Sequence, residues 1–230
     1  MGTGARVWVT RTLPGAEATA SRLTVMGYHP VVAPLLEVRY HPDAMAKAPA
    51  ARDIACLALT SPNAISAIAG ASEPFLTLPT YAVGDATAKA ARDAGFMDVH
   101  SASGDIHDLA VLIRAQAPWG TVFTPGAQLP AGDLPALLAD RQVIRLPVYS
   151  TEETGIAIPD DIAITLIHSP RAGQALAWRL GELHTRMHII AISDAAARPF
   201  IGLPMVSITT ADHPDEEAML RALGNSTSAV

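Results

Sequence analysis

Short, apolar, β-branched runs alternate along the chain with stretches in which apolar residues recur every three or four positions, which predicts repeated strand–helix units. The runs predicted as strands are Val7–Thr10, Val31–Ala33, Ile54–Leu59, Tyr81–Val83, Asp98–His100, Val122–Thr124, Val143–Leu146, Ile164–Ile167, Ile189–Ile192 and Met205–Ile208. Between them, Pro14–Met26 and Asp105–Ala115 read as helices. The second puts Ile106, Leu109, Ala110 and Ile113 on one face, and Leu134, Leu137 and Leu138 do the same in the next helix. Strands that alternate with helices in this way belong to parallel sheets.

Ten strands in one open sheet would be wide for 230 residues, so a repeated smaller sheet is the more natural expectation. "LTSPNAI" and "LIHSPRAG" both end an apolar run at Ser-Pro, with Ser61 and Ser169 lying 108 residues apart. "YAVGDATAKA" has an echo in "IAISDAAARP", with Asp85 and Asp194 lying 109 apart, and "VWVTR" has one in "TVFTPG", with Thr10 and Thr124 lying 114 apart. In this register residues 6–34 correspond to 121–147, so the first βαβ unit completes a domain whose remainder is at the C-terminal end. The expected layout is a discontinuous domain of residues 1–35 and 152–230, and a second domain of residues 41–146. Residues 36–40 and 147–151, both short, alternating and β-prone, would form a two-stranded connector with a cleft between the domains. Ligands of such α/β sheets bind beyond the carboxyl ends of the strands.

Composition narrows the partners. Half of the residues are hydrophobic, and the net charge of −6 offers no basic patch, so neither nucleic acid nor an anionic membrane is expected. The single cysteine, Cys56, excludes an intrachain disulfide and a cysteine metal cluster, and its apolar setting reads as a buried, inert thiol. "MGTGARVWVT" lacks the apolar core of a signal peptide and no stretch approaches a membrane span, so a cytoplasmic location is expected.

The chemistry must come from strand ends. A serine followed by proline is a well-matched helix start: the hydroxyl accepts an N–H bond, and proline has no N–H to lose at the first helical position. The same helix starts can aim backbone N–H groups and the positive end of the helix dipole at an anion. Thr60, Ser61 and Asn63 in one copy, and Ser169 and Arg171 in the other, are the polar groups on offer. "VGDATAKA" adds Gly84, read as allowing close backbone approach, and Thr87; its echo carries Ser193 followed by Ala195 and Ala196. Gly126 in "TPGAQ" and Arg11 in "VTRTLP" stand at two further strand ends. The sequence holds no G-x-S-x-G elbow, P-loop, G-x-G-x-x-G or H-E-x-x-H motif. His184 and His188 have the i, i+4 spacing of a metal pair, but a strand follows at once, which argues against one. Asp212, Asp215, Glu216 and Glu217 read as an acid-rich helix start and not as a catalytic dyad.

Taken together, "VTR" with the "GYHPVVAP" that follows, "LTSPNAI", "YAVGDATAKAARDAGF", the Asp105–Ile113 helix, "PVYST", "HSPRAG" and "AISDAAA" resemble the motifs of the uroporphyrinogen-III synthase family, in that family's order and over most of the chain. The resemblance implies two flavodoxin-like parallel-sheet domains joined by a two-stranded β connector, with the site in the interdomain cleft. It implies cyclisation of the linear tetrapyrrole hydroxymethylbilane to uroporphyrinogen III, with loss of water and inversion of ring D through a spiro intermediate, in tetrapyrrole biosynthesis. No cofactor and no metal are implied. The expected protein is a monomer that binds a small-molecule substrate, and a transient handover of that substrate from hydroxymethylbilane synthase is an open possibility. Tyr149 of "PVYST" matches the family's interdomain tyrosine, either as a donor to the departing hydroxyl or as an aromatic packing the connector. Thr60, Ser61, Thr87 and Ser169 match positions around the cleft, whereas Ser193 stands where glycine is usual and Ala195 and Ala196 where threonine is common. Two other readings stay open: a non-catalytic two-domain binding module for a polyanionic small molecule, and a glycosyl- or phosphotransferase.

Overall fold

A computed structural model describes residues 4–180, 187–203 and 206–228. In chain order its strands are β1 (Arg6–Val9), β2 (His29–Val32), β3 (Leu36–Tyr40), β4 (Cys56–Leu59), β5 (Thr80–Ala82), β6 (Val99–Ser101), β7 (Val122–Ala127), β8 (Val143–Glu153), β9 (Ile164–Ile167), β10 (Met187–Ala191) and β11 (Val206–Thr210). The α-helices are α1 (Gly15–Val25), α2 (Pro62–Ile68), α3 (Asp85–Asp93), α4 (Ile106–Gln116), α5 (Leu134–Leu137), α6 (Pro170–Leu180), α7 (Asp194–Ala197) and α8 (Glu216–Ser228). By contacts the chain divides into one unit of Met1–Glu37 with Glu152–Val230 and another of Val38–Thr151.

The first unit holds a five-stranded sheet in the order β11-β10-β9-β1-β2, with its neighbouring strands paired in parallel. The second holds the order β3-β8-β7-β4-β5-β6, parallel from β8 to β6. Started at β9, the first sheet runs through the same spatial order as the second does from β4. Thus β9, β10, β11, β1 and β2 correspond to β4, β5, β6, β7 and β8, a circular permutation of one α/β plan of flavodoxin type.

Alternation along the central strands separates two cores in each unit. In the first, Trp8, Ile167 and Ile189 face one core while Val7, Val9, Leu166 and Ile190 face the other. In the second, Leu57, Leu59 and Phe123 divide from Cys56, Ala58 and Val122 in the same way. Trp8, fully buried, donates its indole N–H to the Ala33 carbonyl at 2.7 Å, so its one polar atom is satisfied.

Several elements differ from the sequence reading. The predicted strand Val143–Leu146 and connector 147–151 form a single strand, β8. Pro147 is tolerated inside it because it sits opposite Gly126, where the register with β7 shifts, so its missing N–H falls where the ladder is irregular. The leucine-rich segment after Asp133 makes only one helical turn, α5, because Leu138 leaves helical geometry at φ −114°, ψ 42°. Met205, the predicted start of the last strand, lies outside the described residues, as does His184. The Asp105 helix begins one residue later than read. Asp105 is its N-cap, accepting from the His107 and Asp108 amides, while Asp108 accepts from the Asp105 amide at 2.9 Å, a complete capping box.

Helix α6 packs against α7 through a glycine. A Cβ built on Gly173 would lie 2.5 Å from the backbone oxygen of Ala196 at α7, too close for any atom pair. Alanine in place of a mid-helix glycine normally gains about 1 kcal/mol. Here Gly173→Ala is expected to lower the unfolding free energy by about 1–3 kcal/mol, read by denaturant titration, because α7 must move away.

Candidate functional site

Parallel strands put all the turns that follow them at one end of each sheet, so the candidate residues of each unit gather by construction. Thr10 and Arg11 follow β1, His168 and Ser169 follow β9, and Ser193 follows β10. In the other unit Thr60 and Ser61 follow β4 and Gly84 follows β5, while Gly126 lies in the last part of β7. A Cβ added to Gly126 would meet the Thr60 hydroxyl at 3.9 Å, so these two positions are neighbours across β4 and β7.

The two Ser-Pro turns cap their helices differently. Ser61 accepts from the Asn63 amide at 3.2 Å, and its own carbonyl takes the Ala64 amide at 3.1 Å. With Pro62 contributing no N–H, the expected uncovered amides at the start of α2 are already used. Ser169 caps one residue further on, accepting from Ala172 at 3.2 Å, and its carbonyl takes Gly173 at 3.0 Å. The Arg171 amide is skipped, and the exposed Arg171 side chain makes no ion pair among the described residues. Ser193 accepts from Ala196 at 3.4 Å at the one-turn α7. No side chain among the described residues caps α3, so its first-turn amides, from Asp85 to Thr87, are left without a capping acceptor.

Other positions behave differently from their sequence readings. Gly84 has extended backbone (φ −157°), and an added Cβ would meet only the Gly104 carbonyl at an ordinary 3.8 Å, so the protein's own packing does not demand glycine there. Thr87 is 3% exposed, held inside its unit. Tyr149, 6% exposed, packs its ring in the core cluster of Phe75, Phe123 and Val148. Asp85 accepts from the Ser101 and Ser103 hydroxyls at 2.7 and 2.9 Å, which, Ser101 first, hold its carboxyl below the usual range. Cys56 is buried, and burial pushes its thiol up to about 11 against a smaller opposite pull from Arg141, as an inert thiol requires. Both ring nitrogens of His188 are engaged across β10 and β11, with Ser207 at 2.7 Å and Thr209 at 3.2 Å. No group of three or more metal-binding side chains occurs among the described residues.

Within the first unit Thr10, Arg11, Thr12, Leu36, His168, Ser169 and Ala172 line a cavity of about 150 Å³. Arg11 is not a free cation. Its guanidinium lies 3.5 Å from Glu216 at the start of α8 and 3.4 Å from the Thr19 hydroxyl, which also bonds Glu216. Arg22 approaches the second Glu216 oxygen at 3.5 Å. The acid-rich helix start of the sequence thus supplies the counter-ion of a candidate site residue.

His168 is the residue that sequence reasoning missed; its signal was the imidazole of "HSP" where the other copy has the hydroxyl of "TSP". Both ring nitrogens are buried without a hydrogen-bond partner among the described residues. Burial, and next the Arg11 guanidinium, push His168 down to about 4, against smaller upward pulls from Glu216 and the Leu166 carbonyl. The Leu166 carbonyl, which accepts the Thr10 hydroxyl at 2.6 Å, is near the ring but makes no hydrogen bond of acceptable geometry to it. A second, more open cavity of about 410 Å³ in the other unit is lined by His41, Asp43, Lys47 and Pro147 and includes none of the candidate residues.

A histidine at about 4 in the fold and 6.5 when unfolded takes up its proton first in the unfolded chain. Its contribution is therefore whole above the unfolded value and is lost as pH falls toward the folded one. Between pH 7 and pH 5 the wild-type protein should lose about 2 kcal/mol more unfolding free energy than His168→Leu, read by denaturant titration at each pH.

Comparison with known proteins closes the description of the site. Residues 17–221 match the family profile "Uroporphyrinogen-III synthase HemD". No curated protein matches the sequence. A crystal structure of mutant uroporphyrinogen III synthase from the extremely thermophilic bacterium Thermus thermophilus (SeMet derivative, Form-1 crystal) superposes with a TM-score of 0.62 at 18% identity, over 99% of this chain and 100% of that one. The wild-type Form-2 crystal of the same enzyme gives 0.48 at 18% identity, over 97% of this chain and 100% of that one. With a parallel-sheet plan repeated in both units, polar turns at the strand ends and a family match over nearly the whole length, the chain belongs to the uroporphyrinogen-III synthase family.

Proposed function

We propose that this chain closes the linear tetrapyrrole hydroxymethylbilane to uroporphyrinogen III, with loss of water and inversion of ring D through a spiro intermediate. The family match over residues 17–221 carries the reading, and the α/β fold shared with the Thermus enzyme supports it. A proton enters with the departing hydroxyl and ring closure releases one, so the net change is one water lost. The class is a cyclising hydro-lyase working without cofactor or metal, as a cytoplasmic monomer that receives its substrate from hydroxymethylbilane synthase. No helix among the described residues is long and apolar enough to cross a membrane, which is compatible with that setting.

The substrate carries eight carboxylates, and a net charge of −6 repels it at long range. Binding must then be local. We assign it to strand-end groups: the amides at the start of α3 beside Gly84 and Thr87, the Arg171 amide and side chain, the hydroxyls of Thr60, Ser61, Ser169 and Ser193, the Asn63 side chain, the backbone at Gly126, and Arg11. The hydroxymethyl group is labile and closes unaided to the unrotated isomer I, so the protein's task is chiefly to hold ring D where it forms the spiro centre. Tyr149 is the proposed donor to the leaving hydroxyl. Its packed ring fixes the position from which that hydroxyl would act.

Supplied with enzymatically generated hydroxymethylbilane, the protein should yield isomer III well above the protein-free control, as read after oxidation and separation of isomers. Isomer I alone would leave the binding-module reading standing in its place. Tyr149→Phe is expected to slow isomer III formation about a hundredfold while leaving the thermal midpoint in place; unchanged turnover would make Tyr149 a packing residue. Ser61→Ala should cost about 1 kcal/mol of stability through the lost cap. A loss of catalytic efficiency larger than that would mean the hydroxyl also meets substrate.

A further inference from the structure

We infer that His168 is a specificity-determining residue that takes one carboxylate arm of the tetrapyrrole by hydrogen bonding, within the cavity it shares with Arg11 and Ser169. The inference rests on the proposed function and deepens it. Three observations point the same way. The first is that two imidazole nitrogens are withdrawn from solvent with no hydrogen-bond partner among the described residues, a costly arrangement where nearly all other buried side-chain polar atoms there are satisfied.

The second is the inventory of the cavity wall. The Thr10 hydroxyl donates to the Leu166 carbonyl, so it has no O–H left for a ligand. The Ser169 oxygen accepts from Ala172 and keeps its own O–H free to donate. Arg11 adds a guanidinium whose charge is partly answered by Glu216 at 3.5 Å. The Arg11 guanidinium, the Ser169 O–H and one imidazole N–H thus bring three donors and a positive charge to one wall, which matches a carboxylate and not an ammonium. Glu216 and Arg22 complete the set of charged groups around it, two guanidinium groups against one carboxylate, so the cluster keeps a positive charge in excess.

The third is size. At about 150 Å³ the cavity is smaller than the roughly 300–1,000 Å³ that hold whole ligands, so it suits a single side arm and not a ring system. Burial and Arg11 keep the imidazole neutral near neutral pH, with one nitrogen an N–H donor and the other an acceptor. His168 then contributes direction and selectivity, while Arg11 contributes charge. The equivalent turn of the other unit has Thr60 in that place, so the two corners would not hold equivalent arms.

The test uses the full chain and two readouts. When uroporphyrinogen III, kept reduced, is added to protein labelled with 15N in histidine, both His168 ring-nitrogen signals should shift to saturation, and His168→Leu should bind about tenfold more weakly. With enzymatically generated hydroxymethylbilane, His168→Leu should raise KM about tenfold with kcat within about threefold, and His168→Gln, which restores a donor, should recover part of that KM. The thermal midpoint of His168→Leu should stay or rise at neutral pH, since two unpaired buried nitrogens are removed. Ring signals unmoved at saturating ligand, or unchanged affinity and KM in the leucine variant, would overturn the inference. So would a lower midpoint with unchanged KM, which is the signature of a purely structural histidine. Failure of the proposed function looks different: the wild type itself then yields isomer I alone, and the ring-nitrogen titration still decides whether His168 takes a carboxylate.

Discussion

Every parallel strand in this protein has to hand the chain to a connection at the same end of its sheet, and helices that begin there leave backbone N–H groups unpaired. That constraint shapes both units. It concentrates Ser61, Gly84, Ser169 and Ser193 at strand ends regardless of what they do, because each starts a helix. The differences between the turns are then informative. Ser61 and Pro62 use up the α2 start; Ser169 skips one amide of α6; α3 has no side-chain cap at all. Capping and binding are complementary, because what a cap leaves uncovered is what a ligand can take.

In the first unit the same end of the sheet also gathers charge. Glu216 receives Arg11, Arg22 and the Thr19 hydroxyl, which ties α8 to α1 and to the end of β1. Gly15 is part of that arrangement, since a Cβ there would lie 2.7 Å from the Arg11 side chain. Arg11 is thereby held in one place with its charge moderated, next to a histidine kept neutral by burial. A fixed corner with one cation in excess supplies local attraction as well as hydrogen-bond geometry, which suits a protein of net charge −6 facing an anionic substrate.

Much of the fold was legible because the buried strands are apolar throughout and the helices between them keep a helical period. The internal echoes at Ser61 and Ser169 even gave the correspondence of β4 with β9. Two things defeated pattern reading. Pro147 looked like a boundary, and only the register shift beside Gly126 shows why a strand runs through it. The partners of Arg11 were out of reach too, because Glu216 is 205 residues away in sequence and nothing local distinguishes a counter-ion from a helix-dipole acid. His168 was visible only as a departure from the other copy. Its meaning lies in the partners its ring nitrogens lack, and those are counted only in three dimensions.

The claim that uncapped strand-end amides hold the carboxylates is tested most directly by amide spectroscopy of the backbone with uroporphyrinogen III bound. The account predicts large shifts at Asp85, Ala86, Thr87 and Arg171, with smaller ones at Asn63 and Ala64, whose N–H groups already belong to Ser61. A saturated complex in which those four amides stay where they were would contradict it.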